Sequence, residues 1–286
     1  MTNRFSTPLD FLNYQGENCT ECLDFGAVEL PAVLPNTNRF YEWIKRGFHA
    51  EMEWIKKRFN AEDFSIAWVA LWKYPHRLSS KNEPIAAYAQ GLDYHLTVGK
   101  ILREWAQQAG GRAFCDSLPI AERELAVMAG LGFIGRNTML INPKFGSAFF
   151  IGGVLLNTPC VGEPKEISKK YAKCTNCRKC IDSCPNGALT EDGFLDSRKC
   201  TSYLTIEHRG DFTEEQKKLI NGCVFGCDIC QRVCPYNLRH LKESEPFFSP
   251  EIVKNGEWKK SIIKNTPLFR AGVKNLKRNS LGFVGT

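Results

Sequence analysis

The chain has 286 residues, of which 43% are apolar and 12% aromatic, so it can build one large globular domain or two moderate ones. It contains no run of eighteen apolar residues and no apolar signal core near the N-terminus, which argues against a membrane span or an export signal and predicts a cytoplasmic protein. The formal charge of +7 is modest for this length and by itself excludes no class of partner.

The predicted elements alternate between helices and strands over the first part of the chain. Four apolar stretches predict strands: residues 65–72, 85–89, 112–116 and 148–156. Three amphipathic stretches predict helices: residues 38–59, a segment that ends near Gln108 before Gly110, and residues 120–130. This alternation predicts a layered α/β or α+β domain over residues 1–160.

The second half of the chain differs in composition. Residues 159–173 are polar and basic and predict a linker, a cysteine-rich domain covers residues 161–240, and a basic tail that packs on the core covers residues 241–286. Lys165–Lys179 carries six lysines and arginines, and Lys254–Arg278 carries eight. Such runs form either solvated faces or a phosphate-binding surface, and the second alternative predicts salt-sensitive binding to nucleic acid.

Two cysteine motifs dominate the second domain. The first reads Cys-x-x-Cys-x-x-Cys-x-x-x-Cys-Pro over residues 174–185, and the second reads Cys-x-x-Cys-x-x-x-Cys-Pro over residues 227–235. This is the spacing of ferredoxins with two 4Fe–4S clusters, in which the cysteine before each proline binds the other cluster. The predicted ligands of the first cluster are Cys174, Cys177, Cys180 and Cys234. The second cluster receives Cys184, Cys227 and Cys230, and its missing fourth thiolate is either Cys200, the first candidate, or Cys223.

Structural zinc and buried free thiols are the alternatives for these cysteines. Tetrahedral zinc would use two Cys-x-x-Cys pairs and would leave both Cys-Pro positions without a role. The total of thirteen cysteines is odd and the chain is long, which argues against a disulfide framework and favours a reducing compartment. The lone pair Cys19 and Cys22 is interpreted as structural thiols rather than as a third metal site.

Two iron–sulfur clusters transfer single electrons, so the first domain is expected to hold the site that consumes them. Gly130-x-Gly132-x-x-Gly135 has the glycine spacing of a dinucleotide site, but it follows a predicted helix instead of a strand. Asp93-x-His95 approaches a cobalt-ligating motif with one residue too many before its glycine, so His95 is interpreted as a capping or packing residue.

Asp116 is the best single acid candidate. It ends an apolar predicted strand and precedes a predicted helix, a position where layered domains place functional groups. Apolar surroundings would favour its protonated form, as a proton donor requires. The alternative is an N-cap of the helix that begins near Ile120, and spacing alone favours this cap.

Seven strings of the sequence carry a resemblance to a known family: Gly91–His95, Cys115–Pro119, Glu122–Ala126, Ala129–Thr138, Ile141–Ser147, Cys200–Glu207 and Phe225–Pro235. Together they resemble the epoxyqueuosine reductases over roughly residues 35–280. The resemblance implies an α/β (α+β) cobalamin-binding layered domain with an inserted bacterial-type two-cluster ferredoxin domain. It also implies an oxidoreductase that converts epoxyqueuosine at the wobble position of tRNA to queuosine.

The resemblance also implies roles for individual residues. Asp116 is the proton donor, and Cys200 is the fourth ligand of the second cluster. Cobalamin is expected in its base-off form, with no protein histidine below the cobalt, and both an organometallic and an outer-sphere electron route remain open. The expected corrin pocket is lined by Asp116, Arg136, Asn137, Leu140, Ile151, Ser202 and Asp228.

The expected partners are tRNAs for Tyr, His, Asp and Asn, and an external ferredoxin or flavodoxin, with the chain acting as a monomer. Many members of the family continue into a C-terminal helical-repeat domain that helps bind tRNA, whereas this sequence stops at Thr286. The basic linker, the tail and the rim of the active site are therefore expected to bind tRNA. The competing interpretations are a cobalamin-dependent reductive dehalogenase and a ferredoxin that only transfers electrons.

Overall fold

The computed structural model describes residues 5–30, 37–56, 63–79, 81, 83–159, 174–220, 222–243 and 245–281. The predicted linker over residues 159–173 lies outside the described residues except for its first position. Within the described part of the chain, no helix is both long enough and apolar enough to span a bilayer.

A four-stranded antiparallel sheet in the order β1-β2-β6-β3 forms the centre of the fold. The strands are β1 (Cys22–Glu29), β2 (Ile66–Lys73), β3 (Arg112–Phe114), β4 (Phe133–Ile134), β5 (Leu140–Ile141) and β6 (Phe149–Leu156), with β4 and β5 paired in a separate small sheet. The sheets contain only antiparallel pairs among the described strands, so the architecture is α+β and the α/β alternative is wrong.

Eleven helices surround the sheets in the described residues: α1 (Pro8–Asn18), α2 (Thr37–Lys45), α3 (Val98–Ala109), α4 (Glu122–Met128), α5 (Lys179–Asp182), α6 (Thr201–Ile206), α7 (Glu214–Lys218), α8 (Ile229–Arg232), α9 (Pro250–Asn255), α10 (Lys260–Ile263) and α11 (Gly272–Leu281). Helices α1 and α3 cover one face of the sheet, where Trp68 and Trp105 pack edge to face. Helix α4 covers the other face through Leu125 and Ala126. Because both faces are covered, β2 and β6 can be apolar along almost their whole length.

Most of the predicted elements of the first domain are confirmed, with shorter bounds. The predicted strands at 65–72, 112–116 and 148–156 correspond to β2, β3 and β6, and the predicted helix at 120–130 corresponds to α4. Helix α3 ends at Ala109 because Gly110 adopts the left-handed conformation, with a φ of 71°.

One predicted element is too long and another is wrong; positions 57–59 of the first lie outside the described residues. The helix predicted over residues 38–59 ends at Lys45, because Gly47 and Ala50 adopt left-handed φ values of 67° and 53° that a continuing helix does not allow. A 3-10 helix follows at Glu53–Lys56. The strand predicted at 85–89 is a 3-10 helix over Ala87–Ala89, and it makes only an isolated bridge to the cysteine-rich segment.

The N-terminal elements α1 and β1 were not predicted. Helix α1 begins with a capping box in which Thr7 and Asp10 satisfy each other's backbone amides, and Pro8 occupies its first turn, where proline is tolerated. Strand β1 forms the edge of the sheet beside β2.

The C-terminal helices α9–α11 share a hydrophobic core with the cysteine-rich segment. Trp258 and Leu276 from this tail pack in one cluster with Ile206 of α6, Phe225 and Ile85. The layered domain, the cysteine-rich segment and the C-terminal tail therefore share one hydrophobic core. This core holds the cysteine-rich segment beside the layered domain.

Candidate functional site

Four cysteines from two separate segments line one cavity: Cys174, Cys177, Cys180 and Cys234. These are the four thiols that crossed ligation predicts for the first cluster. A turn closed by the Cys177 N–H and the Cys174 carbonyl oxygen at 3.2 Å leads into α5, which carries Cys180. Cys234 reaches the same cavity from the turn after α8, and the backbone N–H of Arg136 donates to the Cys174 sulfur at 3.4 Å.

A second group contains Cys184, Cys200, Cys227 and Cys230. Burial, with smaller contributions from the nearby thiols of Cys227 and Cys184, raises the pKa of Cys200 to about 11. Burial also raises the pKa of Cys230 far above its usual value, and Cys200 and Cys227 add to this effect. The structure thus brings together the four residues expected to bind the second cluster.

Cys223, the second candidate for the fourth thiolate, also lies beside Cys227. Its side chain is fully buried and hydrogen-bonded to the Cys227 thiol, which raises the pKa of Cys223 and lowers that of Cys227. Cys200 differs because it lies beside both Cys227, which belongs to the second cysteine motif, and Cys184, which belongs to the first. This position favours Cys200 as the residue that closes the group.

The donor set fits iron–sulfur clusters because thiolates are their usual protein ligands. The two groups adjoin, since the charge of Cys180 in the first group contributes to the raised pKa of Cys230 in the second. In the part of the chain that the structure describes, no three His, Cys, Asp or Glu side chains converge as a single metal ion would need.

Asp116 lies just after β3 with its side chain exposed and its backbone in the left-handed region, with a φ of 51°. The Tyr94 hydroxyl donates to Asp116 Oδ2 at 2.7 Å, and the Asp116 N–H donates to Glu122 Oε1 at 2.6 Å. The alternative interpretation of Asp116 as an N-cap is wrong, because α4 begins at Glu122 with Ala121 at the N-cap position.

The carboxyl group with a raised pKa that was expected at Asp116 is found at Glu122, which is partly buried. Asp116 itself is exposed to solvent, although aromatic side chains lie beside it. Burial and, to a smaller extent, the negative charge of Asp116 raise the pKa of Glu122 to about 8, against the opposing effects of the hydrogen bond from the Asp116 amide and the charge of Arg123. The sequence offered no sign of this role, since Glu122 reads only as an acidic residue in the first turn of a helix.

An aromatic patch, formed by Tyr74, Tyr88, Tyr94 and Phe150, adjoins Asp116. Tyr94 stacks on Phe150 with ring centroids 4.3 Å apart, and Tyr74 lies 4.6 Å from the same ring. Burial raises the pKa of Tyr88, and the charges of both Asp116 and Asp228 contribute, so both carboxyl groups lie near this ring.

Asp228 is held by the backbone. The Ala87 N–H donates to its Oδ2 at 2.7 Å, and burial raises the pKa of Asp228 to about 6. Asp228 comes directly after Cys227, so one turn joins the aromatic patch to the second cysteine group.

The other residues predicted to line a corrin pocket fall into two groups. Leu140 and Ile151 pack in the core under α4, and Ser202 lies in α6 beside Cys200. Arg136 and Asn137 instead line the cavity of the first cysteine group. The Arg136 guanidinium donates to backbone oxygens in the cysteine-rich segment, and the Asn137 amide donates to the Cys230 carbonyl oxygen at 3.4 Å.

His95 and the pair Cys19 and Cys22 have local structural contacts. His95 Nδ1 lies 2.7 Å from Asp93 Oδ1, and this interaction raises the pKa of His95, whose ring stacks on Tyr94. Cys19 and Cys22 pack against the core beneath α1, and burial raises the pKa of Cys22 to about 12. These contacts support the packing interpretations made from the sequence.

Comparison with known proteins gives three kinds of match. Residues 173–237 match the family described as a 4Fe-4S double cluster binding domain. An epoxyqueuosine reductase from Cyclobacterium marinum is 36% identical over 210 residues, which cover 68% of this chain and 67% of that protein. An epoxyqueuosine reductase from Leadbetterella byssophila is 34% identical over 272 residues, covering 86% and 88% of the two chains. Other relatives of this name are longer, and the alignments cover 58% and 42% of two of them.

The fold matches a crystal structure of an epoxyqueuosine reductase with an epoxyqueuosine-modified tRNA-Tyr stem loop. The TM-score is 0.78 at 22% identity, and the match covers 96% of this chain and 80% of the other. At this identity the likeness establishes a shared fold.

Proposed function

Because the chain belongs to the epoxyqueuosine reductase family, we propose that it reduces epoxyqueuosine at the wobble position of tRNA to queuosine. The reaction converts an epoxide into an alkene and water, so it consumes two electrons and two protons. The observation that carries this proposal is the position of Asp116, which lies beside an aromatic patch that also reaches the cysteine-rich segment through Asp228.

The chain binds two 4Fe–4S clusters, which transfer electrons one at a time. The proposed ligands are Cys174, Cys177, Cys180 and Cys234 for the first cluster and Cys184, Cys200, Cys227 and Cys230 for the second. The proximity of the two groups, shown by the effect of the Cys180 charge on Cys230, supports electron transfer between the clusters. The proposed external donor is a ferredoxin or a flavodoxin.

The residues around Asp116 fit cobalamin, which supplies a low-potential cobalt centre when bound. The aromatic patch offers an apolar surface for a large ring, and the carboxyl groups of Asp116 and Asp228 can bind its amide side chains. Ser202, Arg136 and Asn137 are proposed to contact the cofactor from beside the cysteine groups. Leu140 and Ile151 are proposed to contribute from the face of the sheet that α4 covers, opposite the face on which Phe150 packs. A base-off cofactor without a histidine ligand is proposed because Asp93-x-His95 has one residue too many before its glycine for a cobalt-ligating motif.

Asp116 is the proposed proton donor to the epoxide oxygen, which avoids a free alkoxide as the carbon–oxygen bond breaks. Its exposed carboxyl group can reach a substrate, and the Tyr94 hydroxyl fixes the orientation of that group. Tyr94 is itself fixed by stacking between His95 and Phe150.

The proposed tRNA surface lies on the side of Asp116 that faces the C-terminal tail. The charges of Asp116 and Tyr94 act on the Arg270 guanidinium, which also lies 5.5 Å from the ring of Trp54. The rings of Trp54 and Phe269 are 49% and 52% exposed, and bases turned out of an RNA loop stack on such rings. The basic residues proposed for phosphate contacts are Lys254, Lys259, Lys260, Lys264, Arg270, Lys274, Lys277 and Arg278. Two of them already have partners within the chain, because Arg270 pairs with Glu207 and Arg278 donates to backbone carbonyl oxygens.

The function is tested with tRNA from a strain that accumulates epoxyqueuosine, incubated with the anaerobically reconstituted protein and a chemical reductant. We expect conversion to queuosine by the wild type and loss of turnover in Asp116→Asn, because the amide cannot donate a carboxylic proton. The control Asp63→Asn changes an exposed aspartate away from the site and should retain activity.

Iron content and cobalamin absorbance are measured on the same samples. Both should be unchanged in Asp116→Asn, which separates loss of the proton donor from loss of a cofactor. Full activity of Asp116→Asn would remove its assigned role. A protein with about eight irons that fails to bind cobalamin would instead be a ferredoxin that only transfers electrons.

A further inference from the structure

We propose that Glu122 is a positioning residue, whose carboxyl group holds the loop that presents Asp116 to the substrate. This inference rests on the proposed function of Asp116 as the proton donor. Glu122 is the first residue of α4, and α4 is anchored in the core by Leu125 and Ala126. The loop that carries Asp116 is therefore attached through Glu122 to a rigid part of the fold.

The backbone of Asp116 needs such an attachment. Its φ of 51° lies in the left-handed region, which is unfavourable for a residue with a Cβ atom and persists only where surrounding contacts enforce it. The Glu122 carboxyl oxygen accepts the Asp116 N–H at 2.6 Å and so fixes this peptide. The Tyr94 hydroxyl binds the side chain of Asp116 instead, so the two contacts have separate effects.

The charges around Glu122 make this attachment sensitive to pH. Asp116 faces Glu122 from the β3 side and raises its pKa, whereas Arg123, on the same helix, lowers it. Cys115 lies beside Glu122, and the charges of Asp93 and Arg103 also reach this thiol. The hydrogen bond from the Asp116 amide favours the charged form of Glu122, but burial and the charge of Asp116 outweigh it.

The direction of the pH effect follows from the pKa of about 8 for Glu122 when the loop is attached. When the loop is released, Asp116 moves away from Glu122 and water reaches the Glu122 carboxyl group. Both changes return the pKa of Glu122 towards its usual value. Attachment is therefore favoured most at low pH, where Glu122 is neutral in both states. The preference is lost as pH rises through about 8, because two adjacent carboxylates then repel each other.

Two variants separate the hydrogen bond from the charge. Glu122→Gln keeps a carbonyl oxygen for the Asp116 amide but cannot ionise, whereas Glu122→Ala removes both properties. Glu124→Gln, in the same helical turn, is the matched control. All proteins are prepared as the reconstituted full chain, with iron and cobalamin contents confirmed.

Hydrogen exchange of the peptide that contains Asp116 is measured between pH 6 and 9 and corrected for the intrinsic pH dependence of exchange. We expect protection in the wild type to decrease as pH rises through about 8. Protection should be lost at every pH in Glu122→Ala and should no longer depend on pH in Glu122→Gln. This measurement does not require turnover, so its result is independent of the proposed function.

Turnover tests the consequence for catalysis. Glu122→Ala should lower kcat by about tenfold or more with KM for tRNA nearly unchanged, because a misplaced acid slows chemistry without weakening binding of the tRNA. Glu122→Gln should retain kcat at pH 7 and lose the decline that the wild type shows as pH rises to about 8. The proposal would be overturned if Glu122→Ala kept the hydrogen-exchange protection and the kcat of the wild type. It would also be overturned if protection and kcat in Glu122→Gln depended on pH as they do in the wild type.

Discussion

Cys200 and Cys223 are the two candidates for the fourth thiolate ligand of the second cluster, and their surroundings distinguish them. Both lie beside Cys227. Cys200 also lies beside Cys184, the ligand that the first motif is predicted to give to the second cluster. The buried Cys223 thiol is hydrogen-bonded to Cys227 and can act as a neighbour that stabilises a bound thiolate.

We therefore predict that Cys200→Ala lowers the iron content from about eight to about four atoms per chain, because one 4Fe–4S cluster loses a ligand. Cys223→Ala should retain about eight iron atoms per chain. It should also shift the reduction potential of the second cluster. Iron analysis of anaerobically reconstituted protein measures the first effect, and a redox titration followed through the visible spectrum measures the second. The reverse pattern, with iron lost only from Cys223→Ala, would assign the fourth thiolate to Cys223.

The site residues differ in how far the sequence could predict them. The cysteines were predictable because the turn that presents thiolates to a cluster is encoded by local spacing. Asp116 was predictable from its position at a strand end, although its exposure was not. Glu122 was not predictable, since its partner is a backbone amide whose direction depends on the left-handed conformation of Asp116.

At the level of elements, the junction between the layered domain and the cysteine-rich segment depends on the loop before β6. Gly146 has a φ of 75°, and a Cβ atom there would lie 2.0 Å from Asn237 Oδ1. The buried Asn237 accepts the Ser147 N–H at 2.8 Å and donates to Ser147 Oγ and to the Gln231 carbonyl oxygen. Cys234 lies between Gln231 and Asn237 in sequence, so this network supports a predicted cluster ligand.

We predict that Asn237→Ala destabilises the protein by about 1–3 kcal/mol for each buried group left without a partner. The apparent Tm of the reconstituted protein should fall, and the clusters should be lost at a lower temperature than in the wild type. Asn157→Ala, at an exposed position, is the control and should leave both transitions unchanged. An unchanged cluster transition in Asn237→Ala would show that the network does not support the cysteines.

The same elements show why a sequence pattern predicts some structures and not others. The apolar stretches that became β2 and β6 are buried on both faces of a sheet, whereas the stretch at 85–89 is buried in the core of the C-terminal tail. A short apolar run predicts burial but does not specify which neighbour provides it. Strand β1 was missed for the opposite reason, because its polar residues, including Asp24 and Glu29, obscure the pattern at the edge of a sheet.

At the scale of the whole molecule, the C-terminal tail belongs to the fold that holds the clusters. The Asn279 amide donates to the carbonyl oxygens of Thr205 and Val224 at 2.9 and 2.8 Å, and Trp258 donates to Ser280 Oγ. Its helices α9 and α10 contain only six and four residues, which is too short for a periodicity signal. The sequence therefore predicted contact with the core but not these helices.

We predict that Trp258→Ala lowers stability by about 3–5 kcal/mol, the usual effect of removing a large buried aromatic side chain. Because Trp258 shares a core with Phe225, two residues before Cys227, the second cluster should also become more accessible. Chelator-induced loss of the visible cluster absorbance should therefore be faster in Trp258→Ala than in the wild type. Leu281→Ala is the control, since this side chain is 78% exposed. If Trp258→Ala melts earlier but loses its clusters at the wild-type rate, the tail is coupled to the layered domain and not to the cysteine-rich segment.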